Sequence, residues 1–382
     1  MRSIYLDNAA TTMLRDEVTN SMLECLKTHY GNPSSTHSFG RTARTHIEKA
    51  RKTIAKYINA SPSEIVFTSG GTEADNMALR GAVRDLGVET IITSKIEHHA
   101  VLHTVEQLQR EYSIHIKYVD LEQCGTPDME HLENLLQADT SRKLVTLMHV
   151  NNEIGNITDV TTVGVLCKKY DALFHSDAVQ SMGHWEWDVQ KTNIDFLAAS
   201  AHKFHGPKGV GFAYIKKDSA VKPLIFGGEQ ERGLRAGTEA VHNIVGLETA
   251  FTLAYEHLDK DREYVRGLKH YFIDELKKAF SEATFNGGCQ DMDKSTYTIL
   301  NVCLPVDEEK ARILLFHLDI NGIACSKGSA CQSGSSKGSH VLSAILPEED
   351  LKRPSLRFSF SAYNTRAEID YTIKVLKDFI LP

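Results

Sequence analysis

The sequence predicts an α/β fold whose core is a mostly parallel sheet of seven strands covered by helices, and three observations predict it. Seven strand-length runs fall between Glu64 and Lys216. Helical patterns separate them. Most of the runs are near-continuously apolar rather than alternating, as in strands packed on both faces.

In order, the runs are Glu64–Ser69, Glu89–Ser94, Ile114–Asp120, Leu144–Asn152, Ala172–Asp177, Ile194–Ala201 and Gly209–Lys216. Two helical stretches, Thr238–Leu258 and Arg262–Ala279, then follow with no strand between them, which places a boundary near Leu258. Beyond it the pattern predicts a smaller α+β unit: Ser295–Pro305, a helix over Glu308–Asp319, a short strand near Ile323, the strand Ser355–Ser361 and a last helix. Thr365-Arg366-Ala367-Glu368 opens that helix as a capping box. The segment Ser326–Ser339, rich in Ser, Gly and Lys, reads as a mobile loop. The chain shows no internal repeat.

A chain of 382 residues is long enough for about two domains. Its net charge of −7, without long like-charge runs, argues against nucleic acid or an anionic membrane as the main partner. No run approaches a membrane span, and Met1–Asp7 is too short and polar for a signal peptide. The seven cysteines are odd in number and scattered without a CxxC pair, which points to a reducing cytoplasm and to no zinc site.

Several polar residues fall at the carboxyl ends of the predicted strands, where open α/β sheets bind ligands. Lys203 lies just past Ile194–Ala201, between His202 and His205 and before the turn at Gly206-Pro207. A partly desolvated lysine there is a nucleophile able to hold an aldehyde cofactor as a Schiff base, although alone it reads equally as a surface lysine. Gly70-Gly71-Thr72 turns a strand into a helix, so free N–H groups and the positive end of the dipole could take a phosphate; the same turn is also an ordinary helix start. Asp177 ends its strand, where a carboxylate could keep a pyridine nitrogen protonated, with Gln180 near a ring hydroxyl; capping is the plainer role. His98 could stack on a flat ring and move protons, whereas His99 reads as a helix-start histidine.

In Leu356-Arg357-Phe358-Ser359-Phe360 the apolar side chains share one face and leave Arg357 on the other, where its fork suits a carboxylate. A solvated strand arginine is the plain alternative.

The chain resembles the cysteine desulfurases of the NifS/IscS type, within the aminotransferase-like fold type I of pyridoxal-phosphate enzymes. The resemblance runs from Tyr5-Leu6-Asp7-Asn8-Ala9-Ala10-Thr11-Thr12, through Phe67–Glu73, Met148–Gly155 and Glu231–Thr238, to Gly328-Ser329-Ala330-Cys331. It implies a large cofactor-binding domain over 14–258 and a small domain of 1–13 and 259–382 that carries the cysteine loop at about 322–340. It also implies pyridoxal 5′-phosphate as cofactor and L-cysteine as substrate, in a homodimer that passes sulfur to an acceptor protein, either an iron–sulfur scaffold or a tRNA-thiolation enzyme. Lys203 would hold the cofactor, Asp177 and Gln180 the ring nitrogen and hydroxyl, and His98 would stack on the ring. Gly71, Thr72, Ser200 and His202 would bind the phosphate, joined by Thr238 from the second subunit. Asn152 and Arg357 would fix the substrate carboxylate. With free cysteine bound, Lys203 would take the Cα proton and Cys331 the sulfur.

Cys331 lies in the Ser/Gly loop, whereas Cys303 is on an apolar strand and Cys167 on an amphipathic helix, where thiols are usually inert. The chain departs from the family pattern at Lys327 and Cys325 ahead of the nucleophile and at Gln332 after it. It stops at Pro382 without the tail that in IscS-like members helps to dock the scaffold. A selenocysteine lyase or an aminotransferase of the same fold is the alternative; Cys331 argues against the second.

Overall fold

The computed structural model describes residues 3–327 and 338–381. Its elements run β1 (Ile4–Tyr5), α1 (Asp16–Thr28), α2 (Ser38–Tyr57), β2 (Ile65–Thr68), α3 (Gly71–Arg84), β3 (Thr90–Thr93), α4 (His99–Tyr112) and β4 (His115–Tyr118). The middle comprises α5 (Met129–Ala138), β5 (Lys143–Thr146), α6 (Val160–Lys169), β6 (Leu173–Asp177), α7 (Val189–Thr192), β7 (Phe196–Ser200) and β8 (Gly211–Ile215). There follow α8 (Val241–Glu256), α9 (Leu258–Ala279), β9 (Thr284–Phe285), β10 (Ile299–Cys303), α10 (Glu308–Ile320), β11 (Ile323–Ala324), α11 (His340–Ile345), β12 (Ser355–Ser359) and α12 (Arg366–Ile380).

Seven strands form the main sheet in the order β2-β8-β7-β6-β5-β3-β4. Only β8 runs against the others. β2, β3, β5, β7 and β8 are buried at every position, which is why they read as continuous apolar runs. One hydrophobic cluster, including Ile47, Ile54, Phe174, Leu197, Phe212 and Phe251, covers one face. Another, with Met77, Leu79, Val101, Phe196 and Ile215, covers the other. A third cluster packs α9 and α12 on the antiparallel sheet β12-β10-β9, and it takes in Ile4 and Leu6 because β1 pairs in parallel with β11.

The sequence expectation departs most from the structure in one stretch. The strand predicted over Leu144–Asn152 ends at Thr146. The chain still runs beside β6, with Leu147 N donating to His175 O and His149 N to Asp177 O, but the ladder is lost. Leu147, Met148 and Val150 stay buried, so an apolar connector carries the same signal as a strand. The capping box at Thr365 and Glu368 forms as its spacing predicts. No helix among the described residues is long and apolar enough to cross a membrane.

Candidate active site

The carboxyl ends of β2, β6 and β7 open onto a cavity of about 210 Å³, lined by Ala9, Ala10, Gly71, Thr72, Asp75, His98, Met148, Asn152, Asp177, Val179, Gln180, Ser200, His202, Lys203 and Arg357. Eleven of the twelve candidates of the sequence analysis lie among the described residues, and ten of them meet here: Gly71, Thr72, His98, Asn152, Asp177, Gln180, Ser200, His202, Lys203 and Arg357. Thr238 does not. It is exposed in a separate hollow with Cys25, His29 and Tyr30. Cys331 lies outside the described residues, as does most of the Ser326–Ser339 loop. A larger cleft of about 1160 Å³ sits at the amino ends of β5, β6 and β7 and holds none of the candidates.

The floor follows from strand geometry. Asp177 is the last residue of β6 and is buried, with its Oδ1 accepting from Val179 N at 2.9 Å. Burial disfavours its charge and lifts the carboxyl to about 6; that hydrogen bond and the positive charge of Lys203 pull the other way.

Lys203 closes the short 3-10 turn Ala201–Lys203 that follows β7. Its Nζ donates to Ala9 O at 2.6 Å and to Ala10 O at 3.0 Å. Those carbonyls come from the segment Asp7–Thr12, which crosses from the antiparallel sheet to this turn. Ala9 N donates to Ser359 Oγ at one end, and Thr12 N to His202 O at the other. Gln180, buried, donates its Nε2 to the same Ala9 carbonyl at 2.9 Å.

His98 caps α4, its Nδ1 accepting from Ala100 N at 3.1 Å. Burial, and then the neighbouring Lys203, lower it to about 4, so near neutral pH the ring is uncharged with its proton on Nε2. His202 is lowered to about 4 by the same two causes in the same order, and its Nδ1 lies 3.2 Å from Thr11 Oγ1.

At the opposite wall the chain turns tightly into α3. Its N-cap is Gly70, at φ 152°, rather than Thr72, and the first helical residue is Gly71. A Cβ on Gly71 would stand 2.4 Å from Val179 Cγ2, so only glycine leaves room there. A helix start with unused N–H groups beside Ser200 and His202 matches what a phosphate needs.

Arg357 is buried on β12 between Leu356 and Phe358. It donates Nη1 to Asn152 O at 2.7 Å and Nη2 to Asp7 Oδ1 at 2.9 Å. Its Nε and the Oδ1 of Asn152 are buried without a hydrogen-bond partner among the described residues. Two unsatisfied groups of this kind are costly unless a ligand completes them: the Arg357 Nε–H suits a carboxylate, and the Asn152 oxygen suits an N–H or O–H donor beside it. Asn151 shapes the loop that presents Asn152, accepting from Glu153 N and Ile154 N and donating to Ile96 O.

The residues flanking the undescribed segment are tied to this clamp. Ser326 and Arg357 exchange main-chain hydrogen bonds, and Ser339, which caps α11, donates its hydroxyl to Glu153 Oε2. Cys325 is partly buried, and desolvation together with Asp7 pushes its thiol far above the ordinary range. Sequence reasoning missed Asp75, whose only sign was an acid one turn into an apolar helix, and it missed the carbonyls of Ala9 and Ala10, which side-chain types cannot reveal.

The class-V aminotransferase family model matches residues 4–372. The cysteine desulfurase IscS of Dictyoglomus turgidum is 44% identical over 381 residues, covering 99% of this chain and 95% of that protein. The putative cysteine desulfurase IscS 1 of Bacillus subtilis is 44% identical over 384 residues, covering 100% and 99%. Among solved structures, a NifS-like protein superposes with a TM-score of 0.89 at 36% identity, covering 99% of each chain. SspA in complex with cysteine superposes with a TM-score of 0.82 at 34% identity, covering 95% of this chain and 100% of its own.

Proposed function

The chain belongs to the class-V aminotransferase family and is a cysteine desulfurase dependent on pyridoxal 5′-phosphate, and from that premise we propose how its own residues move sulfur from L-cysteine to Cys331. The observation that carries the reading is the meeting of Lys203, His98 and Asp177 in one cavity whose rim holds the unsatisfied Arg357 Nε and Asn152 Oδ1.

When bound, pyridoxal phosphate supplies a conjugated ring that takes up the electron pair left on the substrate Cα. Asp177 holds the ring nitrogen in its protonated form, which deepens that sink. Gly71, Thr72, Ser200 and His202 hold the phosphate at the start of α3. His98 covers the ring face as a neutral imidazole. Arg357 and Asn152 grip the substrate carboxylate and so fix which Cα bond faces Lys203. Lys203 Nζ would hold the cofactor and is the group placed to take the proton from the substrate Cα. The thiolate of Cys331 then attacks the substrate sulfur. An Sγ–S bond forms as the Cβ–S bond breaks; the proton given up by the Cys331 thiol goes to Cβ and the proton held by Lys203 returns to Cα, which yields L-alanine.

The chain divides near Leu258, with residues 1–13 completing the second unit, and the pairing of β1 with β11 supports this. Two copies form a homodimer in which Thr238 reaches the partner's phosphate; its distance from its own cavity and the exposed Ile225 and Phe226 on the same loop support that arrangement. The six described cysteines are all free thiols, which supports a reducing, cytoplasmic setting. The persulfide passes to an acceptor protein, a scaffold for iron–sulfur clusters or an enzyme of tRNA thiolation.

The test is direct. Purified protein with pyridoxal phosphate should be yellow and release alanine from L-cysteine in step with persulfide on Cys331. Failure to release alanine from cysteine while releasing it from selenocysteine would overturn the reading.

A further inference from the structure

Beneath the cofactor floor lies a buried acid–imidazole pair that the reaction as described does not use. His175 precedes Asp177 by two residues on β6, so the two share a face of the sheet. It is wholly buried, with Nδ1 2.8 Å from Thr146 Oγ1 and Nε2 3.4 Å from Oδ1 of Asp75. Asp75 stands one turn into α3, 1% exposed, and lines the cofactor cavity. Asp75 Oδ1 and His175 Nε2 are both buried without a hydrogen-bond partner among the described residues, and 3.4 Å separates them.

Buried charge decides how the pair is protonated. An ionised Asp75 would be a second anion beside Asp177, near a third buried carboxyl, Glu97, with Lys203 the cation across the cavity and His98 uncharged. Burial first, and Asp177 next, push Asp75 well above the ordinary carboxylate range, and burial lowers His175 to about 3. Glu97 is pushed the same way by burial and by Asp177. An imidazolium–carboxylate pair there would need two desolvated charges where a neutral hydrogen bond needs none.

We propose that Asp75 and His175 are a positioning pair, with Asp75 a neutral acid donating its proton to Nε2 of His175 and the Nδ1–H of His175 held by Thr146. Asp177 is then the single negative charge offered to the ring nitrogen. The pair acts through Asp177 and touches no reacting atom. The idea rests on the reading that Asp177 holds the ring of pyridoxal phosphate, but its first test does not.

In full-length protein labelled with 15N-histidine, with and without pyridoxal phosphate, His175 should be neutral and protonated on Nδ1 from pH 6 to 9. A cationic His175, or a proton on Nε2, would overturn the proposal. The second test reads the pH midpoint of the bound cofactor's absorption. Asp75→Asn should leave it within about 0.3 unit and keep cofactor affinity within about threefold, because an amide preserves a neutral donor. His175→Ala removes the acceptor, frees Asp75 to ionise and should raise the midpoint by about one unit, the usual effect of a nearby like charge. The double variant should return toward the wild-type value. An equal shift in the single and double variants, or a tenfold loss of affinity in Asp75→Asn, would sink the idea. Should His175→Ala not fold, the spectrum of the wild-type protein and Asp75→Asn still decide. A protein that takes up no pyridoxal phosphate would instead contradict the functional reading and leave the histidine spectrum to judge the pair.

Discussion

Gln180 and Lys203 converge on one acceptor: both donate to the carbonyl oxygen of Ala9, at 2.9 and 2.6 Å. When Lys203 commits its nitrogen to a cofactor, Gln180 keeps that carbonyl satisfied, and its own amide oxygen remains for a ring hydroxyl. Gln180→Ala should therefore weaken pyridoxal phosphate binding by about 1.4 kcal/mol, roughly tenfold in Kd, as read by titration of the absorption band.

Lys203 and Lys208 should separate cleanly. Lys203 lies in the cavity against Ala9 and Ala10, whereas Lys208 is exposed. Lys203→Ala should lose the absorption of lysine-bound cofactor, and Lys208→Ala should keep it. The opposite outcome reassigns the cofactor lysine.

Asp177 gives the site a predictable pH response. Its carboxyl is raised to about 6 by burial, so the cofactor-free fold is favoured by the protonated form at low pH and loses that advantage as pH rises through 6. Cofactor binding needs the anion. Affinity should climb from pH 5 to about 7 and then level off, while Asp177→Asn should bind weakly with no such step. Equilibrium titrations at several pH values check both.

Arg357→Lys should raise KM for cysteine by about 30- to 100-fold, or 2–3 kcal/mol, with a smaller effect on kcat. The ammonium cannot hold Asn152 O and Asp7 Oδ1 while also offering a fork to the substrate. Steady-state kinetics with thermal melts alongside distinguish lost recognition from lost folding.

Cys331→Ala should stay yellow and bind cysteine, yet form no persulfide, while Cys325→Ala should retain most alanine production. The difference follows from the partly buried place of Cys325 beside Asp7, which raises its pKa and holds its thiol protonated. Persulfide found by mass spectrometry on Cys325 would reverse the assignment.

Much of the site was legible because its residues stand at strand ends: Asp177 and Lys203 follow apolar runs that the main sheet buries. Arg357 was legible from alternation, but its partner Asp7 lies 350 residues away and no local pattern connects them. The pairing of Asp75 with His175 was invisible for the same reason, since each alone reads as a polar residue in an apolar element. The strand predicted through Asn152 overran because Leu147, Met148 and Val150 are buried in a connector with irregular hydrogen bonds. Strands β1 and β9, two residues each, carry too little periodicity to be seen.

The hydrogen bonds that fasten Ser326 to Arg357 and Ser339 to Glu153 fix a delivery radius for sulfur. Cys331 is five residues from the first fastening and eight from the second. A fully extended chain spans at most about 3.3–3.6 Å per residue, so the shorter leash limits Cys331 to about 18 Å from Ser326. An acceptor that takes the proposed persulfide would have to come within about that reach of Ser326.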